Sequence, residues 1–145
     1  MTAFHPDPIR PLTTDESWEL LASFPVGRLI VVLDGVPEVF PVNFVIDGVG
    51  LVVRTDIGLK FFAAEQRSRA AFEVDHWDSE TGHTVIAHGT LRVLDDPAEK
   101  AHAESLDLKP WLDTEKSHFI RLDVTEITGR HFTLNEDARI AQAGH

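Results

Sequence analysis

Between Gly27 and Trp77 the chain is a run of short β-branched segments cut by tight turns, a spacing that favours antiparallel sheet over every other architecture. Arg28 to Leu33 is almost wholly aliphatic and ends on Asp34-Gly35, a dipeptide suited to a two-residue hairpin. Glu38 to Ile46 returns as a second strand, Asp47-Gly48-Val49-Gly50 turns again, and Leu51 to Thr55 makes a third. Three strands in succession on short turns predict a meander. Pro41 lies inside the second strand, and since proline cannot donate to a ladder it predicts an edge or a local break in pairing.

The period then changes. Leu59, Phe62 and Ala63 stand at i, i+3 and i+4, which predicts a helix over residues 58–66. An earlier helix is signalled by Thr13 and Glu16 at capping-box spacing and ends before Pro25 and Gly27. Ala70 to Trp77 reads as a fourth strand and Thr84 to Leu94 as a long fifth, with Gly89 marking a bulge or barrel corner. Asp96-Pro97 opens a polar helix reaching about Ser105, a loop carries Pro110-Trp111, and His118 to Val124 is the last well-patterned strand. Ile127 to Phe132 adds a short piece, and the first dozen residues, with three prolines, form an extended lead-in. The expectation is a mainly β protein: a six-stranded antiparallel barrel, closed or half-closed, with short flanking helices. Residues 1–134 read as one domain and residues 135–145 as a loosely ordered tail.

At 145 residues the chain is long enough to bury a core without covalent staples. Cysteine is absent, which removes disulfides, thiolate chemistry and cysteine-ligated metals. The net charge of −11 argues against nucleic acid and against an anionic membrane surface, both of which attract lysine and arginine. The first ten residues lack the apolar run of a signal peptide and no segment is long enough to span a bilayer, so a cytoplasmic location is expected.

An anionic ligand would therefore need the few basic residues gathered at one place. Arg54 offers a planar fork for phosphate oxygens, Lys60 a mobile point charge and Thr55 a hydroxyl. Gly58 and Leu59 open the helix, where backbone N–H groups add donors. The same residues serve equally as a solvated strand end and helix start, and Asp56 beside them opposes an anion. Pro41 supplies irregular backbone, and Val42 and Asn43 supply donors and an acceptor on opposite sides of the strand, as the polar edge of a flat ring requires. Pro41 can also simply protect a sheet edge. No metal site is expected, because His83 and His88 fall on opposite faces of one strand and the eight histidines form no H-x-x-x-H pattern. No nucleophile elbow, dinucleotide fingerprint or phosphate loop occurs, and no side chain stands out as a catalytic acid or base.

Taken in order, Gly27-Arg28-Leu29, Pro41-Val42-Asn43-Phe44, Arg54-Thr55, Gly58-x-Lys60 and Phe72-Glu73-Val74-Asp75 resemble the pyridoxamine 5′-phosphate oxidase-like proteins. The branch they are most similar to is the flavin-nucleotide-binding group with nitroimidazole-reductase-like members, and Thr128-Gly129-Arg130 adds to the likeness. The resemblance implies a split β-barrel homodimer with flavin mononucleotide (FMN) at the subunit interface. It implies that Arg54, Thr55 and Lys60 hold the phosphate, with Gly58 and Leu59 also at the cofactor, that Pro41, Val42 and Asn43 line the ring, and that Trp111 and Arg130 reach in from the other subunit. The implied activity is flavin-dependent oxidation or reduction of a small planar substrate. A deazaflavin-dependent reductase and a non-catalytic flavin- or haem-binding carrier or sensor are the alternatives. Oxidation of pyridoxamine phosphate itself is disfavoured, since only Arg130 and Arg139 supply positive charge near the C-terminus.

Overall fold

The computed structural model describes residues 7–108 and 118–135. In chain order these form β1 (Ile9–Pro11), α1 (Thr14–Ala22), β2 (Val26–Leu33), β3 (Val36–Asn43), β4 (Val45–Ile46), β5 (Gly50–Thr55), α2 (Leu59–Glu65), β6 (Arg69–Trp77), β7 (Thr81–Val93), α3 (Pro97–Ser105) and β8 (His118–Thr133). Every strand pair is antiparallel. The strands form one curled sheet in the order β3-β2-β6-β7-β8-β5-β4, with β1 paired to β8 off that path. Six long strands carry the barrel as expected, and the short β1 and β4 are additions.

The meander does not form. β2 and β3 make the predicted hairpin, in which Asp34 (φ 50°) and Gly35 (φ 75°) both adopt the left-handed conformation of a type I′ turn. The run from Glu38 to Ile46 then breaks at Phe44, and β5 pairs with β8 and β4 instead of β3. Phe44 is 6% exposed and meets Phe72 edge-on at 4.6 Å. Burying that ring pulls the chain off the β2 ladder and redirects it. β3 and β4, consecutive in sequence, therefore stand at opposite ends of the sheet order, and β5, next to β4, faces β3 where the curl closes on itself.

Alternation decides which face is inside. Leu29 and Val31 of β2, Phe72 and Val74 of β6, Val85 and Ala87 of β7, and Ile120 and Leu122 of β8 fill the interior. Gly27 lies against the ring of Phe72, where an added Cβ would come within 2.3 Å of it. The bulge expected at Gly89 is present as a register shift between His88 and Gly89, opposite Val124 of β8. The two pieces foreseen at His118 and Ile127 are one 16-residue strand, β8, bordered by β7 on one side and by β5 and then β1 on the other.

Three short helices flank the sheet. α1 carries the foreseen capping box, with Thr13 Oγ1 accepting from Glu16 N and Glu16 Oε1 accepting from Thr13 N. It seats on β8 at Gly129, where Leu12 N donates to the Gly129 carbonyl and no side chain holds the helix away. α3 covers a second cluster of Val52, Leu94 and Phe119 on the opposite face of the sheet through Ala103. Among the described residues no helix is long and apolar enough to cross a membrane.

Candidate functional site

The corner at which β5 passes into α2 gathers most of the residues foreseen for an anion. Arg54 projects outward at the end of β5, above the ring of its cross-strand partner Phe119, with the guanidinium carbon 5.4 Å from the ring centre. Thr55, one residue on, turns inward and is buried, its hydroxyl donating to the Asp56 carbonyl at 3.0 Å. Lys60, half-buried in the first turn of α2, places its ammonium 4.9 Å from the ring centre of Phe40. Both cations are thus held against aromatic faces, a geometry that orients them.

Gly58 is the N-cap of α2 with an extended backbone that any residue could adopt. Its importance lies in the space in front of it: no heavy atom stands within 4 Å of where a side chain would begin. No side chain caps this helix start, so its first-turn N–H groups keep the donor capacity that capped helices spend internally. Ile57 and Leu59 beside it are half exposed or more. The corner is open, cationic and rimmed by apolar surface.

The second arm belongs to β3. It ends the sheet path, as a proline-bearing strand should, with Pro41 opposite Arg28 of β2. Pro41 and Asn43 face outward while Val42 enters the core at 8% exposure. Asn43 Nδ2 donates to the Pro25 carbonyl at 3.4 Å and helps to line a cleft of about 580 Å³ with Phe24, Phe44 and Ile46. Phe40, which carries Lys60 on its ring, is the residue before Pro41. The two arms are therefore tied together through that one contact.

Beside Pro41 the outer face holds an ion cluster. Arg28 Nε donates to Glu73 Oε2 at 2.8 Å, and its Nη2 donates to Glu73 and to Asp75. The hydrogen bonds to Glu73 and then Asp75 raise the guanidinium pKa above its ordinary value. Burial alone would raise the Asp75 carboxyl, but hydrogen bonds from Trp77 and Arg28 outweigh it and hold that group below its usual range. Arg28 is thereby committed within the fold.

Arg130 lies on β8 between Pro11 of β1 and Thr84 of β7, eleven residues beyond Phe119. At about 3.3 Å per strand residue that is roughly 35 Å of strand away from Arg54. Within one chain the two cannot serve one ligand. Trp111 lies outside the described residues. Two residues not foreseen stand at the corner: His118, opposite Thr55 in the ladder, and Phe61 of α2, whose ring centre is 4.9 Å from that imidazole. Only the pairing of β5 with β8 brings His118 there, and no spacing along the chain carries that information.

Comparison with known proteins gives consistent results. The family model described as pyridoxamine 5′-phosphate oxidase matches residues 13–131. An uncharacterized protein of Mycobacterium tuberculosis, Rv0080, is 30% identical over 126 residues, covering 81% of this chain and 82% of its own. A crystallographically solved protein of Corynebacterium glutamicum superposes with a TM-score of 0.83 at 34% identity, covering 92% of this chain and 99% of its own. The solved FAD binding protein from Mycobacterium smegmatis is 34% identical with a TM-score of 0.73, covering 86% of this chain and 98% of that one.

Proposed function

Because this chain belongs to the pyridoxamine 5′-phosphate oxidase-like split-barrel family, we propose that it is a flavin-dependent oxidoreductase that holds FMN in a homodimer and acts on a small planar substrate. The observation that carries this reading is the β5–α2 corner, where Arg54 stands over Phe119, Gly58 faces open space, and Lys60 stands over Phe40, the residue before Pro41. A phosphate fits that donor set: two cations, a helix start and room for oxygens. Arg54, Thr55, Gly58, Leu59 and Lys60 would take the phosphate end. Pro41, Val42 and Asn43 would offer backbone and amide groups to the ring.

When bound, the flavin supplies hydride and electron transfer, and the protein supplies orientation and hydrogen bonding. The apolar cleft beside Asn43 is then placed to admit a flat acceptor next to the ring. Two features support the homodimer. Val32 and Val39 leave an exposed apolar strip on the β2–β3 hairpin, and Ile57, Leu59 and Phe62 leave another at α2. Arg130, eleven strand residues from the cross-strand partner of Arg54, would reach that site from a second copy, and the family resemblance assigns Trp111 to the same side of the pocket.

A second reading is favoured by the relative from Mycobacterium smegmatis, which is an FAD binding protein. FAD presents the same flavin and a pyrophosphate to such a corner. Chromatography of the cofactor released from purified protein separates FMN, FAD and deazaflavin directly. The anion assignment is tested by replacing Arg54 and Lys60 together with alanine. Flavin fluorescence titration should show affinity reduced at least a hundredfold with an unchanged circular-dichroism spectrum. Equal affinity would remove the phosphate assignment, and a flavin that binds but is not reoxidised by any small acceptor would favour a carrier.

A further inference from the structure

The register of the sheet assembles one cluster that the flavin reading leaves unused. His76 of β6 stands opposite His83 of β7, His83 opposite His131 of β8, and His131 opposite Arg10 of β1. Residues directly opposed in antiparallel strands share a face, and on this face the next residues inward are Val74 and Val85 of the core. The row therefore rims the end of the curl next to α1. The rings of His83 and His131 are half-buried, with centres 4.7 Å apart and planes inclined at 72°. Among the described residues neither imidazole hydrogen-bonds to another protein group.

We propose that His83 and His131 together capture an exchangeable divalent transition-metal ion. An ion about 2.1 Å from one nitrogen of each ring puts the ring centres roughly 4.5–5.2 Å apart for angles at the metal of about 90–110°. The observed separation of 4.7 Å falls within that span. The surroundings are mixed in charge. His83 opens on a groove of about 340 Å³ that also receives Arg10, Glu16 and Glu19. Arg10 is paired with Glu16 at 3.8 Å, so the groove holds two carboxylates against one guanidinium, on a chain of net charge −11.

The chemistry limits the kind of site. Among the described residues no group of three or more histidines and carboxylates is placed to enclose an ion. Two imidazoles with water in the remaining positions make an open and exchangeable site, unlike closed structural zinc. With nitrogen ligands the affinity order follows the general series, with Cu²⁺ above Ni²⁺ and Zn²⁺. The wide spacing of the two histidines along the chain hides this pair from any sequence motif.

The test is calorimetric titration of the whole chain with Cu²⁺ and separately with Zn²⁺. One Cu²⁺ per chain should bind with micromolar affinity and Zn²⁺ more weakly. His83→Asn and His131→Asn should each weaken Cu²⁺ binding at least tenfold, while His88→Asn, on the opposite face of β7, leaves it unchanged. Nickel-induced broadening of imidazole resonances in the unaltered protein gives a readout independent of folding in the variants, and His83 and His131 should broaden first. Stoichiometric binding that survives the double replacement, or broadening centred on other histidines, would overturn the site.

Discussion

Gly27 shows how far one missing side chain can decide a local arrangement. Phe72, fully buried, lies across the glycine at a distance that no Cβ tolerates, and Val74 closes the other side at 3.0 Å. Phe72 also makes the edge-on contact that holds Phe44 at the break between β3 and β4. Gly27→Ala would therefore force the Phe72 ring from its rotamer and disturb Phe44 through it. Overpacking of this sort costs about 1–3 kcal/mol. The expected outcome is a fall of that size in chemical-denaturation stability with flavin affinity also reduced, because Asn43 and Pro41 sit just before the displaced ring. Val31→Ala, in the same core but remote from Phe44, should lose comparable stability and keep its flavin affinity.

At the scale of elements, α3 is the part most dependent on charge. Arg121, with its side chain 15% exposed, donates to Asp47 Oδ2 at 2.9 Å and to Asp123 Oδ1 at 2.7 Å, and Arg92 links Asp123 to Glu99 of the helix. His102 of α3 meets Asp47 Oδ1 at 3.0 Å. The hydrogen bond from His102, followed by the charges of His102 and Arg121, holds the Asp47 carboxyl below its ordinary value against the effect of burial. A carboxylate lowered on folding stabilises the native state fully above its unfolded value of about 3.9 and loses that contribution as pH falls toward the folded value. Thermal unfolding followed from pH 7 to pH 3 should therefore show melting temperature dropping below about pH 4. Asp47→Asn should lower it at pH 7 and shrink the difference between the two ends of the range. Arg121→Ala, which leaves two partly buried carboxylates without their shared donor, should cost about 2 kcal/mol at pH 7.

That same network marks where sequence reading stops. Asp34-Gly35, the Thr13–Glu16 box and the periodicity of β6 and β7 are local signals, and each element they announce is present. The residues proposed for an anion share a corner for the same local reason, since Arg54 to Lys60 are contiguous. The meander failed because nothing local distinguishes β5 pairing with β3 from β5 pairing with β8; burial of Phe44 and the reach of the long β8 decide it. His118 and Phe119 reach the corner through that nonlocal pairing, the ring of Phe40 reaches it through the closing of the curl that brings β3 to β5, and β1 reads only as extended lead-in because three residues carry no period.

For the whole molecule, the question is whether a single chain suffices for the site. The half-barrel leaves β3 as an edge strand, and such an edge is a liability unless something covers it. Val39, 55% exposed, lies on the outer face of that strand between Pro37 and Pro41, beside Val32 of β2. A twofold contact across this face would bury the apolar strip and bring a second copy to the mouth of the pocket. Val39→Glu places a charge in that contact while pointing away from the barrel core, so folding should be retained. If the pocket is completed by a second copy, light scattering should report a monomer and flavin affinity should fall at least tenfold in the same variant. A monomer that still binds flavin with full affinity would mean that one chain makes the site alone, and Trp111 and Arg130 would then lose their assigned place.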